Sequence, residues 1–293
     1  MSSTIYEKGK SFIENNARLV EQALFHYLFE SGSVQTVIDT LKRYQNKNGG
    51  FGHALEPDFR CSTSSPMATT IAFQMFDLLD KKPDLIIENA LNYLRKTYQA
   101  DLNGWLSVPK DVNEAPRAPW WNYREEIVNW GNPSAEIIGY FYTYGTKEDR
   151  TWAESMLPFV EDYLYSLENY EFHELLCFLR LMDKLASKWQ LRLEVQLTPM
   201  IKACVETNPT KWDTYSLQPI QIAPTPTSRF YELVSEYIPS NLKYIQETQQ
   251  AEGHWEPTWS WGQFEREWLQ AKKEWQGILT LQYLRILRAY DVI

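Results

Sequence analysis

Three stretches of the sequence concentrate side chains that can move protons, hold charge or stack on a ligand. They are Gly52-His53-Ala54-Leu55-Glu56-Pro57-Asp58-Phe59-Arg60, the segment from Pro119 to Asn132 (PWWNYREEIVNWGN), and the segment from His254 to Arg266 (HWEPTWSWGQFER). Each is longer than a median connection and dense in Trp, His, Arg and carboxylates, the composition of a binding or catalytic loop. Carboxylates in such loops serve as general acid, general base or ligand anchor. A proline biases the residue before it toward an extended backbone, so Pro57 and Pro257 fix where Glu56 and Glu256 point. Glu136 falls in the first turn of an otherwise apolar helix, where an unpaired charge would be costly. It must face a cavity or pair with a partner such as Arg124. The candidate catalytic residues are Glu56, Asp58 and Glu136. The candidate ligand contacts are His53, Arg60, Trp120, Trp121, Tyr123, Arg124, His254, Glu256, Trp259 and Trp261. The alternative for Glu56 and Asp58 is capping of adjacent helix N-termini, where an anion gains ~0.3–1 kcal/mol.

The elements that would position these loops are helices of two kinds. Ser33 to Gln45 and Asp84 to Tyr98 carry apolar residues on one face, through Val34, Val37, Ile38 and Leu41 and through Ile87, Leu91, Leu94 and Tyr98. Such helices keep the other face in water. Ala68 to Leu79, Ser134 to Tyr144 and Gln276 to Ala289 are apolar around most of the circumference, which predicts burial on both sides. The two kinds alternate along the chain, and hairpin signals are sparse.

Starts and ends of these helices repeat. Ser65-Pro66-Met67-Ala68, Asn132-Pro133-Ser134-Ala135 and Thr225-Pro226-Thr227-Ser228 each read cap residue, proline, any residue, small residue. The cap accepts a bond from a free backbone amide, and proline in the first turn forfeits none. Gln45 to Phe51 fits Gln-x3-Gly-x-Phe, Gln249 to Trp255 fits Gln-x3-Gly-x-Trp, and Gln99 with Gly104-Trp105 is a looser third copy. The glycine allows a sharp exit from a helix, and the glutamine can bond free backbone groups there. Repeats of this size signal stacked or circularised helix pairs.

This pattern resembles the QW motif of squalene-hopene and oxidosqualene cyclases, with related turns in protein prenyltransferase β subunits. The resemblance spans Gln45 to the C-terminus. It implies an all-α fold: one α/α toroid over 1–293, two concentric helix rings of about six hairpins around a central cavity. The inner set is expected near 5–30, 66–81, 133–144, 170–186, 226–235 and 272–290. The outer set is expected near 33–46, 84–98, 148–167, 189–206 and 239–249. In such a ring the three loops converge at one mouth, the default place for a site. The motif is structural in those families, so it speaks for fold and not for reaction.

The departures limit the chemistry. Cyclases of this type protonate an alkene with Asp-x-Asp-Asp, but the matching place holds Ser64-Ser65-Pro66-Met67. No Asp-Asp-x-x-Asp is present for magnesium and diphosphate. Asp58-x-x-Cys61 is similar to part of the prenyltransferase zinc set, with the spacing off by one and no Tyr-His partner. His173 and Cys177, four apart, make two ligands at most. No metal or other cofactor is expected.

Composition excludes further classes. The net charge of −9, without a basic run, argues against nucleic acid. No segment has the ~20 apolar residues of a membrane span, although contact with a membrane surface is compatible with the sequence. Met1 to Asn16 is polar and lacks a signal-peptide core. Cys61, Cys177 and Cys204 read as reduced intracellular thiols, which points to the cytoplasm. Aromatics reach 15%, with 12 Trp and 18 Tyr, an excess that suits either a lined cavity or bulky packing between helices. The partner expected first is an isoprenoid or other hydrophobic small molecule, bound or transformed in an aromatic-lined cavity. The second reading is a carbohydrate-active enzyme using paired carboxylates. The third is a non-catalytic scaffold.

Overall fold

The computed structural model describes residues 2–293, with side chains from Thr4 onward. Its helices are α1 (Ser2–Asn16), α2 (Leu19–Phe29), α3 (Val34–Leu41), α4 (Pro66–Asp77), α5 (Asp84–Thr97), α6 (Gly131–Tyr144), α7 (Lys147–Ser166), α8 (Phe172–Lys184), α9 (Ser187–Cys204), α10 (Pro219–Ile222), α11 (Tyr231–Val234), α12 (Ile238–Thr248) and α13 (Glu265–Ala289). The described residues contain no strand, and β pairing is confined to isolated bridges at turns. The fold is all-helical, as the periodicity requires, and no described helix is long and apolar enough to cross a membrane.

Contacts divide the chain into two compact units. One is Lys42–Cys204, and the other joins Met1–Leu41 to Val205–Ile293. In the first, α6 lies against α4, α5, α7 and α8. It is buried from Pro133 through Tyr142, which answers its all-round apolar sequence. α5 buries Ile86, Ile87, Ala90, Leu91 and Leu94 and leaves Asp84 and Glu88 in water. Each fully buried Ile or Leu contributes ~1.5–3 kcal/mol. In the second unit α13 packs on α1 and α2.

The repeated turns are alike in both units. The Gln45 amide donates to Gly49 O at 2.9 Å and to Ile86 O of α5 at 3.1 Å. The Gln249 amide donates to Gly253 O at 2.9 Å and to Ile5 O of α1 at 3.0 Å. Gly49 and Gly253 have φ of +93° and +100°. A Cβ would meet Asn89 O at 2.1 Å in one and Lys8 O at 2.2 Å in the other, so both glycines are required twice over. In the third copy the left-handed position is held by Asn103, at φ +49°, which is why the glycine spacing looks irregular in the sequence. Gln99 bonds Thr97 O nearby instead of another helix.

Several expected elements differ. The helix expected over 5–30 breaks at Arg18, whose backbone is extended and whose guanidinium grips Glu21 in the first turn of α2 at 2.6 and 2.8 Å. Ser65 caps α4 through Ala68 N at 2.9 Å, as its sequence predicts. Thr225-Pro226 opens no long helix: Thr225 and Ser228 close a turn on each other, and the four-residue α11 follows. α13 buries one face, but its other face, with Ile278, Leu279, Gln282 and Arg285, is half-buried instead of enclosed.

Candidate functional site

Glu136 is the most deeply placed of the expected acids, at 1% exposure. Its second oxygen accepts from Gln74 Nε2 of α4 at 3.1 Å, from Tyr140 OH one turn on at 3.1 Å, and from Arg180 of α8 at 3.4 Å. The Cys177 thiol lies 3.8 Å from its first oxygen and 3.8 Å from Arg180. The partner is therefore Arg180 and not Arg124, which is exposed in its loop. Two turns along α6, Tyr144 OH donates to Asp77 of α4, whose carboxylate also takes Lys184 of α8 at 2.7 Å. Lys184 sits over the rings of Tyr140 and Tyr144, 5.1 and 5.5 Å from their centroids.

Three helices thus carry a stripe of charge. Burial, reinforced by Glu136, pushes the Cys177 thiol and the Tyr140 phenol well above their ordinary pKa values. Neither is a nucleophile at neutral pH. For Arg180, burial alone would favour loss of its proton, but Glu136 outweighs it and holds the guanidinium charged. The polar groups of the stripe are paired within the protein, Gln74 and Arg180 on Glu136 and Lys184 on Asp77. Of these residues the sequence reading singled out Glu136, and Cys177 only beside His173. His173 instead turns to Glu171. A signal was present: Glu136, Tyr140 and Tyr144 on α6, and Cys177, Arg180 and Lys184 on α8, recur at three- and four-residue spacing on apolar helices.

The Glu56 loop joins the Trp120-Trp121 loop but contributes nothing to Glu136. Glu56 and Asp58 are buried, and Glu56 Oε1 accepts from Asp58 N at 3.3 Å. Ala118 N bonds Asp58 O at 2.7 Å, Arg60 N bonds Pro116 O at 2.8 Å, and Phe59 meets Trp121 edge-on at 5.5 Å. His53 is exposed, held at φ +55° and bonded to Asn46. Trp120 is exposed, and Tyr123 N bonds Asn113.

In the other unit, the His254 ring is buried against Phe12, 4.7 Å between centroids. Its Nε2 lies 3.1 Å from Glu256 and 3.1 Å from the Gln276 amide, while buried Nδ1 has no hydrogen-bond partner among the described residues. Burial alone would raise the Glu256 pKa, but His254, Gln276 and Lys272 together hold it below the usual range. Trp259 meets Trp275 at 5.0 Å and Tyr215 at 5.5 Å, and Trp261 is buried beside Trp268.

One grouping among the described residues bears on metals. Glu14, His26 and Glu30 bring three ligating atoms within 4.8 Å of one another at the surface, but Lys10 already bonds Glu30 and lies 3.8 Å from Glu14. Cys61 is a free, buried thiol. Many of the tryptophans are structural. Trp105 Nε1 bonds Leu94 O at 2.7 Å and Trp255 Nε1 bonds Ile245 O at 2.8 Å, each in the last turn of a helix, and Trp212 Nε1 bonds Glu206 O at 2.7 Å just past the end of α9. No protein-family model matches the chain, and neither a curated protein nor a solved structure matches it.

Proposed function

We propose that the chain is an α/α toroid of the squalene-cyclase and protein-prenyltransferase type that holds an isoprenoid or other hydrophobic small molecule against its inner helices. The observation that carries this reading is the paired turn. Gln45 reaches Ile86 O and Gly49 abuts Asn89, while Gln249 reaches Ile5 O and Gly253 abuts Lys8. The three-residue offset is the same in both. α1 therefore meets the last such turn as α5 meets the first, the relation a closing ring requires. The missing acid motif favours binding, or a chemistry other than alkene protonation. In the experiment, native mass spectrometry reads what the purified protein carries, and calorimetry then compares farnesol with cellohexaose. Farnesol binding supports the reading. Binding of the sugar alone defeats it.

A second reading, a carbohydrate-active enzyme, is favoured by one observation. The α4, α6 and α8 stripe offers two carboxylates, Asp77 and Glu136, among hydrogen-bonding groups and not among bare rings. Release of reducing ends from oligosaccharides, abolished in Glu136→Gln with the fold intact, would move the assignment there.

A further inference from the structure

Along α13, Trp275, Ile278, Leu279, Gln282 and Arg285 are all half-buried. At 1.5 Å per residue they span about 15 Å, with an aromatic end, an aliphatic middle and a polar end. The polar end is unusual. Among the described residues no carboxylate, hydroxyl or carbonyl bonds the Arg285 guanidinium, and the Gln282 amide one turn earlier is also without a partner. The charge that acts on Arg285 is another cation, Arg288. That residue is already engaged, bonded to Leu28 O at 2.6 Å and lying over the Phe29 ring at 4.0 Å. Burial, and then Arg288, draw the Arg285 pKa below its ordinary value. Partial burial weighs against the charge, yet the Arg285 nitrogens still reach water, so an arriving anion meets donors that no described protein group occupies. At the aromatic end, Trp275 meets Trp259 at 5.0 Å, which gives an apolar body somewhere to stop.

We infer that this face of α13 binds an amphipathic oxyanion, with its apolar body along Leu279, Ile278 and Trp275 and its carboxylate or phosphate head on Arg285 and Gln282. The inference rests on the hydrophobic-ligand reading and adds the head group to it. A guanidinium grips a planar oxyanion through two parallel N–H donors, a geometry that neither an alcohol nor a cation offers. An uncharged apolar ligand would bury Arg285 further and gain nothing from it.

The test uses the full chain and three twelve-carbon probes below their micelle-forming concentrations: dodecanoate, dodecyl phosphate and dodecanol. Calorimetry should find at least one of the two anions bound about tenfold or more tighter than the alcohol, and the tighter anion identifies the head. Arg285→Met should level the probes while raising the melting temperature of the ligand-free protein, because an unpaired charge has gone. If that variant does not fold, Arg285→Gln answers the same question. Equal affinity for all three heads overturns the anion site and leaves the hydrophobic reading standing. No binding of any probe overturns both. An anion preference that survives in the folded Arg285 variant removes the assignment to Arg285.

Discussion

The Gln45 turn and the Gln249 turn belong to different compact units, yet their backbones and glutamines are built alike. What differs is the filling. The residue after the left-handed glycine is Gly50 in the first turn and His254 in the second. A Cβ at Gly50 would meet the Tyr93 ring at 2.6 Å, and Tyr93 is itself fixed by its bond to Ser64 O at 2.9 Å. In the second turn, His254 packs on Phe12 and opens the way to Glu256, Lys272 and Gln276. The aromatic differs too: Phe51 is packed without a polar atom, whereas Trp255 adds a bond to Ile245 O. The backbone module sets the helix joint, and two positions around its aromatic set what else is there: Gly50 and Gly52 in the first turn stand where His254 and Glu256 stand in the second.

The largest effect should come from the aromatics. Phe51→Ala and Trp255→Ala each remove a ring buried to 0% and 2% exposure, which should cost ~3–5 kcal/mol in denaturant unfolding. An unchanged midpoint for either would mean the ring is not a joint residue. Next come the glycines. Gly49→Ala and Gly253→Ala should each cost about 2–4 kcal/mol, from left-handed strain plus a backbone collision. Near-equal losses would support a common module, and a neutral Gly253→Ala would break the comparison.

The two clear turns were legible because a left-handed glycine and a cross-linking glutamine leave fixed letters in the sequence. The third copy was blurred because Asn103 performs the glycine's role. Glu136 stood out as one acid on an apolar helix, but its partners did not. Gln74 and Arg180 lie 62 and 44 residues away on helices whose own patterns are satisfied by packing. The break between α1 and α2 has no proline or glycine to announce it; it falls at an extended Arg18 that pairs with Glu21. The half-buried face of α13 was hidden for the opposite reason: its aliphatic residues read as core whether or not anything covers them.

The glutamines give a smaller and more specific contrast. Gln45→Met or Gln249→Met keeps the volume but strips bonds from two carbonyls, at a cost of ~1–3 kcal/mol. Gln99→Met should cost less, because the Gln99 amide bonds Thr97 O, two residues away, and links no second helix. Equal losses at all three positions would show that the link to a neighbouring helix contributes nothing, and the ring closure we propose through Gln249 would fall with it.

The smallest effect concerns the chemistry added to the second turn. Glu256 is held by Lys272 at 3.1 Å, His254 at 3.1 Å and Gln276 at 3.2 Å, and its folded pKa lies below the unfolded one. For a depressed carboxyl the stabilisation is complete above the unfolded pKa, ~4.3, and is lost as pH falls through the folded value. The side chain is 37% exposed, so solvent screening keeps the contribution under about 1 kcal/mol. The measurement is the melting temperature of the wild type and Glu256→Gln from pH 7 to pH 3. The variant should be slightly less stable near neutrality, and the gap should close on the acid side. A constant gap would make the contact one of shape and hydrogen bonding, which the uncharged amide only partly reproduces. A closing gap would establish that the second turn fastens to α13 through charge, and that this fastening is lost only below the ordinary carboxyl range.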